Sequence, residues 1–439
     1  MDTERETLEV DVLIVGAGPA GLACAYRLKE LIEKHEAKRA AGESSDQKDL
    51  SETMIAVIEK GAHVGAHELS GAVMDPKGLE ELIPDYVDKG APLEKKVEDD
   101  TLYFLTASGK FAAPWLPSGM HNHGYHIVSI NRLTAWLGER VEEKEVDVLT
   151  GIGGAEVLYD GNKVIGIRTD DKGKDKEGNP KTNFEAGTDI QANVTVLAEG
   201  TRGSLTKALV NKLGLDTDRN PQAYLTGIKE IWEIPEGRFS KGTIIHSLGF
   251  PLDSRTYGGG FIYTMSDTML SIGLAVGLNC RNPLNDPHNL FSKYKTHPFV
   301  KSLLEGGKML RYGAKTIPEG GYFSMPRMYG DGFLIVGDSA GFLNSQRLKG
   351  IHLAIKSGIM AADTIFESLL ADDCSEKKLE SFNTNFEKSW AKDELWKVRN
   401  FHQGYEEGLF SGLFHTGFQM ITGGRGTKNK YVITEDHKH

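Results

Sequence analysis

Apolar runs that end in glycine-rich turns recur along the chain. Residues 9–15, "EVDVLIV", lead directly into "GAGPAG", a pattern that predicts a buried parallel strand followed by a helix. Residues 53–60, "TMIAVIEK", predict the next buried strand, after a polar stretch at 37–52 that we expect to be a surface insertion. Two further strands are predicted at 194–200, "VTVLAEG", and within 332–341, "GFLIVGDSAG". The pattern indicates an α/β nucleotide-binding unit.

The remaining apolar pattern predicts a second sheet and several helices. Alternating strand-like runs fill residues 221–315, whereas 127–143 and 375–400 carry apolar residues at helical spacing. Residues 408–424, "GLFSGLFHTGFQMITGG", contain no Lys, Arg, Asp or Glu. Their large apolar residues recur every three or four positions, which predicts a helix with one apolar face. By itself, this pattern favours a buried C-terminal core helix.

Composition narrows the class of protein. The 439 residues are 26% charged and 39% hydrophobic, and the formal net charge is −11. Nucleic acid is an unfavourable partner for such a chain, because phosphate binding needs a clustered positive surface. The distant Cys24, Cys280 and Cys374 exclude a disulfide framework and any Cys-only zinc or iron–sulfur site held by this chain alone. No run reaches the roughly 18 apolar residues of a spanning helix, so we expect a soluble or membrane-surface protein.

The first glycine-rich turn carries a dinucleotide fingerprint. Gly16, Gly18 and Gly21 have the GxGxxG spacing, which allows a tight turn, close approach of a pyrophosphate and close packing of the helix on the sheet. Glu59, at the end of the second predicted strand, can accept hydrogen bonds from ribose hydroxyls, and the insertion at 37–52 explains its long distance from Gly21. A structural glycine turn and a solvated carboxylate are the alternatives.

The last of these turns indicates which dinucleotide is bound. In "GFLIVGDSAG", Asp338 follows a strand and a glycine and precedes small residues that open a helix. A carboxylate in this place can accept from the ribityl hydroxyls of a flavin, which NAD lacks, while the helix N-terminus faces phosphate or the flavin ring. The combination of the GxGxxG turn, Glu59 and Asp338 therefore predicts FAD.

Several longer motifs resemble one family of flavoenzymes. In chain order they are "VGAGPAGLACAYRL", "GAHELSGAVMDP", "NHGYHIV", "VTVLAEG", "TYGGGFIY", "HPFVKSLLEGGKMLRYGAKTIPEGG" and "LKGIHLAIKSGIMAADTIF". They resemble the electron-transfer flavoprotein:ubiquinone oxidoreductase family from about residue 10 to 425. More distantly, the chain resembles FAD-dependent geranylgeranyl reductases and aromatic monooxygenases. The resemblance implies an FAD enzyme on a membrane surface that takes electrons from electron-transfer flavoprotein and passes them to ubiquinone.

The resemblance also implies a fold and a domain organisation. We expect an α/β protein with a Rossmann-type FAD-binding domain of the glutathione-reductase/hydroxylase type, an inserted β-sheet quinone or substrate domain and C-terminal helices. The discontinuous FAD domain is assigned to 1–80, 125–220 and 316–372, and the quinone domain to 81–124 and 221–315, with a membrane-facing loop at 104–124. Residues 373–439 form the C-terminal helices, with the interfacial segment at 408–424.

Site residues follow from these motifs. For FAD we expect Gly16, Gly18, Pro19, Ala20, Gly21, Glu59, Lys60, Ser70, Gly71, Ala72, Arg132, Glu199, Gly200, Gly337, Asp338, Gly350 and Ile351. In the family the quinone head group lies near a Gly-Gly turn, which corresponds to Gly258 and Gly259. A surface salt bridge is the alternative for Arg132, and a strand bend is the alternative for the two glycines. The redox chemistry belongs to the flavin, so no protein nucleophile is expected.

Four histidines in the first third of the chain do not indicate a metal site. His67, His121, His123 and His126 have spacings that occur by chance, without a carboxylate in a recognisable ligand pattern. We therefore expect no metal site. Histidines near a quinone could instead relay the protons that its reduction consumes.

Two apolar segments are expected to contact the membrane. They contribute Phe111, Trp115, Leu116, Phe410, Leu413, Phe414 and Phe418. In the family, segments in these positions enter one leaflet, and ubiquinone is confined to the bilayer. A one-leaflet apolar surface opens a quinone pocket there without a spanning helix. Arg425, Lys428 and Lys430 follow and can meet anionic head groups.

The chain departs from the family pattern in two ways. Full-length members carry a four-cysteine C-terminal module that holds a [4Fe–4S] cluster, which is absent from these 439 residues. The alternatives are a truncated chain, a cluster on a separate ferredoxin-like subunit, and a member that works with FAD alone. Mitochondrial members have Cys where this chain has Asp338, which favours a prokaryotic or divergent member. We expect the cytoplasmic face of a prokaryotic inner membrane, or the mitochondrial inner membrane in a eukaryote.

Other functions share parts of this pattern. An FAD-dependent polyprenyl (geranylgeranyl-type) lipid reductase would have the same fold and the same need for a membrane. A hydroxylase is disfavoured because "AEGTRGSLTK" lacks the usual acid-Gly motif with its following arginine. A flavin-stabilised, non-catalytic scaffold for a redox subunit is the alternative from another class. Reoxidation of the flavin by quinone separates these functions.

Overall fold

A computed structural model describes residues 4–43, 47–114, 119, 121–279 and 282–435. These residues form the strands β1 (Thr7–Val15), β2 (Ile55–Glu59), β3 (Ala72–Met74), β4 (Leu93–Lys96), β5 (Asp99–Leu105), β6 (Lys110–Ala112), β7 (His126–Val128), β8 (Asp147–Thr150), β9 (Gly154–Asp160), β10 (Lys163–Thr169), β11 (Lys172–Lys174), β12 (Pro180–Glu185), β13 (Asp189–Leu197), β14 (Tyr224–Glu233), β15 (Thr243–Gly249), β16 (Gly258–Thr264), β17 (Met269–Gly277), β18 (Lys308–Pro318), β19 (Tyr329–Gly330) and β20 (Phe333–Ile335). The α-helices are α1 (Pro19–Ala40), α2 (Lys77–Leu82), α3 (Ile130–Glu142), α4 (Ser204–Leu213), α5 (Pro287–Thr296), α6 (Pro298–Leu304), α7 (Ile351–Ala371), α8 (Glu376–Leu379), α9 (Ser381–Glu387), α10 (Trp390–Lys397) and α11 (Leu409–Ile421).

The four strands predicted to end in glycine-rich turns or at Glu59 lie side by side in one sheet. Its order is β19-β20-β13-β1-β2-β8, and β10 and β9 extend it from β13. β1 pairs in parallel with β13 and with β2, and β13 pairs in parallel with β20. The carboxyl ends of parallel neighbours lie at one edge of a sheet, which is where open α/β sheets bind ligands. The predicted Rossmann-type unit is confirmed.

The second large sheet is mostly antiparallel and has the order β18-β14-β17-β16-β15-β5-β6. One of its faces packs on α5 and α6 through a cluster that includes Ile262, Phe291 and Tyr294. The alternating strand-like runs predicted at 221–315 are therefore the strands of this sheet. Two smaller sheets, β3-β7-β4 and β11-β12, complete the strand pairing of the described residues.

Residues 375–400 form three short helices, α8 to α10, where the sequence indicated one helical region. Phe382 and Phe386 are buried against the main core, as their spacing suggests. Ser389 separates α9 from α10, because its hydroxyl accepts from Lys392 N (3.3 Å) and donates to Phe386 O (2.7 Å). A serine that caps a new helix in this way interrupts the preceding one.

Candidate functional site

The first glycine-rich turn joins the end of β1 to an uncapped helix. Gly16 has φ +111°, and a Cβ there would lie 2.4 Å from the carbonyl oxygen of Ala198, so only glycine fits. Helix α1 begins after Gly18 without a capping side chain. A Cβ on Gly18 would meet nothing closer than a Glu68 carboxylate oxygen at 3.9 Å, so there is room above the turn. The N–H groups of the first helical turn can therefore receive a phosphate.

Glu59 ends β2 beside this turn. Its two carboxylate oxygens accept hydrogen bonds from Ala17 N (3.1 Å) and Gly61 N (2.7 Å). His67 Nδ1 lies 3.5 Å from the same carboxylate. The carboxylate is thus fixed at the sheet edge expected for a ribose contact, while it also stabilises both turns.

The Gly-Asp turn meets the start of α1. A Cβ on Gly337 (φ +62°) would lie 2.9 Å from the Cβ of Ala20, in the first turn of α1. Asp338 accepts a hydrogen bond from Thr201 Oγ1 (3.1 Å). Desolvation raises the pKa of Asp338 to about 6. A carboxyl group of this kind is suited to hydrogen-bond neutral hydroxyl groups.

A second uncapped helix begins at the same place. Gly350 is the N-cap of α7, which starts at Ile351, and no side chain caps it. A Cβ at Gly350 would lie 3.4 Å from Asp338 Oδ1. The N-termini of α1 and α7 and the carboxyl group of Asp338 therefore converge. Two uncapped helix N-termini and a carboxyl group match the phosphate, ring and polyol parts of FAD.

The predicted segment 70–72 lies against the second large sheet. Gly71 O accepts a hydrogen bond from Lys229 Nζ (2.5 Å), and Ser70 Oγ is 2.9 Å from Ser129 Oγ. Lys229 comes from β14, and desolvation lowers its pKa to about 8. Lys229 is not among the residues predicted from the sequence, because an isolated Lys in a strand carries no motif. Lys349, just before α7, is a second missed lysine; it is 6% exposed, and burial lowers its pKa to about 7.

Three predicted cofactor residues have other partners in the structure. Arg132 forms an ion pair with Glu94 (2.8 Å), and its side chain is 62% exposed. This is the surface salt bridge that was the alternative to an FAD contact. Glu199 accepts from Thr206 N (2.7 Å) and thereby caps α4. Lys60 is exposed, whereas Gly200 O accepts from the hydroxyl of Ser339 (2.9 Å), beside the Gly-Asp turn. The FAD roles of these residues remain predictions.

Gly258 and Gly259 open β16 and are closely packed by neighbouring strands. A Cβ on Gly258 would lie 2.2 Å from Ala275 O, and one on Gly259 would lie 2.7 Å from Ser247 O. Strand packing alone therefore requires glycine at both positions, which agrees with the alternative that these glycines serve the strand and not a ligand. Both residues are nevertheless partly exposed, so a planar ring can still approach their backbone.

The uncharged C-terminal stretch forms α11, and its apolar face is exposed. Phe410, Phe414 and Ile421 are 72%, 70% and 84% exposed, and Leu413 and Phe418 are 46% and 39% exposed. The buried face is made of small and polar residues. A Cβ on Gly412 would lie 2.0 Å from the ring of Tyr405, Thr416 Oγ1 donates to Tyr405 Oη (3.3 Å), and Gln419 Nε2 donates to Asn400 O (2.9 Å). The buried-core alternative is wrong.

Helix α11 adjoins the second sheet through an apolar groove. Leu409 N donates to Ser254 O (2.7 Å), four residues before Gly258. The groove has a volume of about 240 Å³ and is lined by Phe104, Leu105, Thr106, Ala107, Gly249, Phe250, Pro251, Leu252, Asp253, Ser254, Leu409 and Phe410. Phe111, in β6, is 62% exposed. Trp115 and Leu116 lie outside the described residues. Within the described ranges, no helix combines the length and apolarity needed to cross a membrane.

Comparisons with families and curated proteins agree with this geometry. A model described as "FAD binding domain" matches residues 11–235, and one described as "ETF-QO, ubiquinone-binding" matches residues 224–317. The mitochondrial electron transfer flavoprotein-ubiquinone oxidoreductase of Sus scrofa is 41% identical over 95% of this chain and 67% of its own length. That of Arabidopsis thaliana is 43% identical over 93% and 62%, and a probable one of Acinetobacter baylyi is 39% identical over 91% and 71%. The chain thus spans about two thirds of these relatives.

Solved structures confirm the fold. A geranylgeranyl bacteriochlorophyll reductase-like protein from Thermoplasma acidophilum has a TM-score of 0.67 at 15% identity, covering 97% of this chain and 93% of its own. The flavin-dependent brominase Bmp2 has a TM-score of 0.61 at 16% identity, covering 95% and 94%. At these identities the likeness shows the fold alone.

Proposed function

Because the chain belongs to the electron transfer flavoprotein-ubiquinone oxidoreductase family, we propose that it passes electrons from electron-transfer flavoprotein through FAD to ubiquinone at a membrane surface. One observation carries the membrane part of this proposal: α11 buries its polar face and exposes its apolar one, and its first residue, Leu409, is hydrogen-bonded to Ser254 in the loop before Gly258. Ubiquinone resides in the bilayer, so its reductase needs an apolar surface next to the quinone site.

The residues of the FAD domain fit the cofactor without any protein nucleophile. The first turns of α1 and α7 supply N–H groups for phosphate and for a flavin carbonyl, and Asp338 holds the polyol. We assign the ribose contact to Glu59. FAD, when bound here, supplies the electron-transfer chemistry. Lys229, next to Gly71 O, adds a positive charge at the boundary with the second sheet.

The quinone enters from the membrane side. The apolar groove lies between the start of α11, including the exposed Phe410, and residues 249–254, which precede β16 in the chain. An isoprenoid tail suits the apolar groove, while the head group lies against Gly258 and Gly259. The apolar face of α11 and the exposed Phe111 rest in one leaflet, at the inner membrane of a prokaryote or of a mitochondrion.

An anaerobic reoxidation experiment tests this function. The flavin is reduced, short-chain ubiquinone is added, and the flavin spectrum is followed. We expect rapid reoxidation by quinone, slowed in Ala107→Trp, which fills the groove from an exposed position. Thr268→Trp is the matched control, because Thr268 is exposed at the other end of β16.

The outcomes separate the candidate functions. A flavin that remains reduced with quinone but is reoxidised by a geranylgeranyl lipid would establish the lipid reductase. A flavin that neither acceptor reoxidises would favour the non-catalytic scaffold or a requirement for the iron–sulfur module. If both tryptophan variants slow reoxidation equally, the quinone does not bind in the groove.

A further inference from the structure

A buried carboxyl group lies at the same end of the second sheet as Gly258. β16 begins at this end and β18 finishes there, because both are antiparallel members of one sheet that includes β14 and β17. Glu319 follows β18, and its N–H donates to Ala223 O (2.7 Å), just before β14. Tyr257 precedes Gly258, and its carbonyl accepts from Gly277 N (2.8 Å) at the end of β17. Glu319 and Tyr257 therefore lie at the end of the sheet where Gly258 and Gly259, the predicted quinone site, begin β16.

The surroundings of Glu319 provide few partners. Its side chain is 0% exposed, and the Tyr257 hydroxyl donates to Oε2 (3.3 Å). Among the described residues, Oε1 has no hydrogen-bond partner. The imidazole of His402 lies nearby, with Nδ1 3.9 Å from Oε2. The ring of Tyr257 is enclosed by those of His402 and Tyr405, with centroids 4.8 Å and 5.1 Å away.

These surroundings favour the neutral acid. Desolvation raises the pKa of Glu319 well above its ordinary value, and the hydrogen bond from Tyr257 opposes this only in part. Burial also lowers the pKa of His402 to about 4, so this imidazole is neutral at pH 7 and offers no positive charge. Tyr257 has its own pKa raised by burial and remains protonated. Glu319 therefore keeps its proton to a higher pH than an exposed carboxyl group does.

A polar pocket connects this cluster with solvent. The pocket has a volume of about 160 Å³ and is lined by Arg255, Tyr257, Asn279, Tyr405, Glu406, Glu407 and Gly408. Tyr257 and Tyr405 belong both to the pocket wall and to the aromatic enclosure around Glu319. Tyr257 therefore lies between this pocket and Glu319, which its hydroxyl contacts, while the apolar groove remains available for the quinone.

We propose that Glu319 is a proton-donating group for the quinone at Gly258 and Gly259, reloaded from solvent through the pocket at Tyr257 and Tyr405. This inference rests on the proposed function. Reduction of one quinone takes up two electrons, which the flavin supplies, and two protons. In each transfer the O–H bond of Glu319 breaks and an O–H bond forms on a quinone oxygen. A solvent proton then restores the acid, so two transfers balance one quinol.

The test compares two acceptors in the FAD-loaded enzyme. Glu319→Gln keeps the shape of the side chain but cannot donate an acidic proton. We expect about 100-fold or slower reoxidation of its flavin by short-chain ubiquinone, the usual size of general acid catalysis. Reoxidation by ferrocenium ion, which takes an electron and no proton, should be unchanged. Glu230→Gln is the control, because Glu230 is buried in β14 but paired with Lys295 (2.6 Å).

Infrared spectroscopy gives a readout independent of turnover. At pH 7 the wild type should show the carbonyl stretch of a buried, protonated carboxylic acid, and Glu319→Gln should lack it. If that variant does not fold, Tyr257→Phe serves instead. This change removes the hydrogen bond that lowers the pKa, so the infrared titration should move to higher pH.

Each result supports or overturns the inference. An ionised Glu319 at pH 7, or equal slowing of both acceptors in Glu319→Gln, would overturn it. Failure of the proposed function is recognised separately, because then quinone would not reoxidise even the wild-type flavin while ferrocenium ion still would.

Discussion

The exposed face of α11 gives the sharpest quantitative prediction. Burying a phenylalanine side chain stabilises by about 1.5–3 kcal/mol when it is fully removed from water. Phe410 and Phe414 are 72% and 70% exposed, so each has about 1–2 kcal/mol left to gain from a bilayer. Phe410→Ser/Phe414→Ser should therefore weaken membrane partitioning by about 2–4 kcal/mol, or roughly 30- to 700-fold.

The assay is sedimentation with phospholipid vesicles across a series of lipid concentrations. The control variant is Val87→Ser/Tyr312→Ser, which removes two apolar side chains that are 60% and 74% exposed but lie outside α11. We expect the control to bind vesicles like the wild type. Both variants should keep the thermal stability of the wild type, because the replaced side chains make little buried contact.

One result would refute this reasoning. If the α11 variant partitions like the control while its melting temperature falls by several degrees, the phenylalanines stabilise the fold and do not contact lipid. In that case a protein partner, and not lipid, would cover the exposed apolar face of α11.

Three further changes have definite expected outcomes. Gly16→Ala places a Cβ 2.4 Å from Ala198 O at φ +111°, so the purified protein should lose most of its FAD and melt at a lower temperature in calorimetry. Gly412→Val inserts atoms into the Tyr405 ring, 2.0 Å from an ideal Cβ; proteolysis of the C-terminal segment should accelerate while the FAD content is retained. The pKa of Glu319 is raised in the folded protein above its value of 4.5 in the unfolded chain. Above about pH 4.5 the folded state therefore binds more protons than the unfolded state, and the stability of the wild type falls as the pH rises. The melting temperature of Glu319→Gln relative to wild type should therefore rise with pH, and a constant difference would contradict a raised pKa.

The local parts of the site were predictable from sequence. β1, the turn at Gly16 and α1 are adjacent in the chain, and an apolar run followed by glycines permits few other structures. β20 and the turn at Gly337 follow the same pattern, but the small residues after Asp338 form only a short 3-10 turn (Gly337–Ala340), and α7 begins later, at Ile351. The two turns lie at the same edge of the sheet because β1 and β20 both pair in parallel with β13, which lies between them.

The orientation of α11 and the buried ionisable groups were not predictable in this way. An apolar helical face packs inward in most proteins, and the burial of Gly412, Thr416 and Gln419 shows that this helix is reversed. Glu319 and His402 are 83 positions apart and meet through the ends of four strands and a C-terminal turn. Lys229 lies in an ordinary strand. Sequence periodicity predicts which face of a helix or strand is apolar, whereas these contacts depend on which elements pack together.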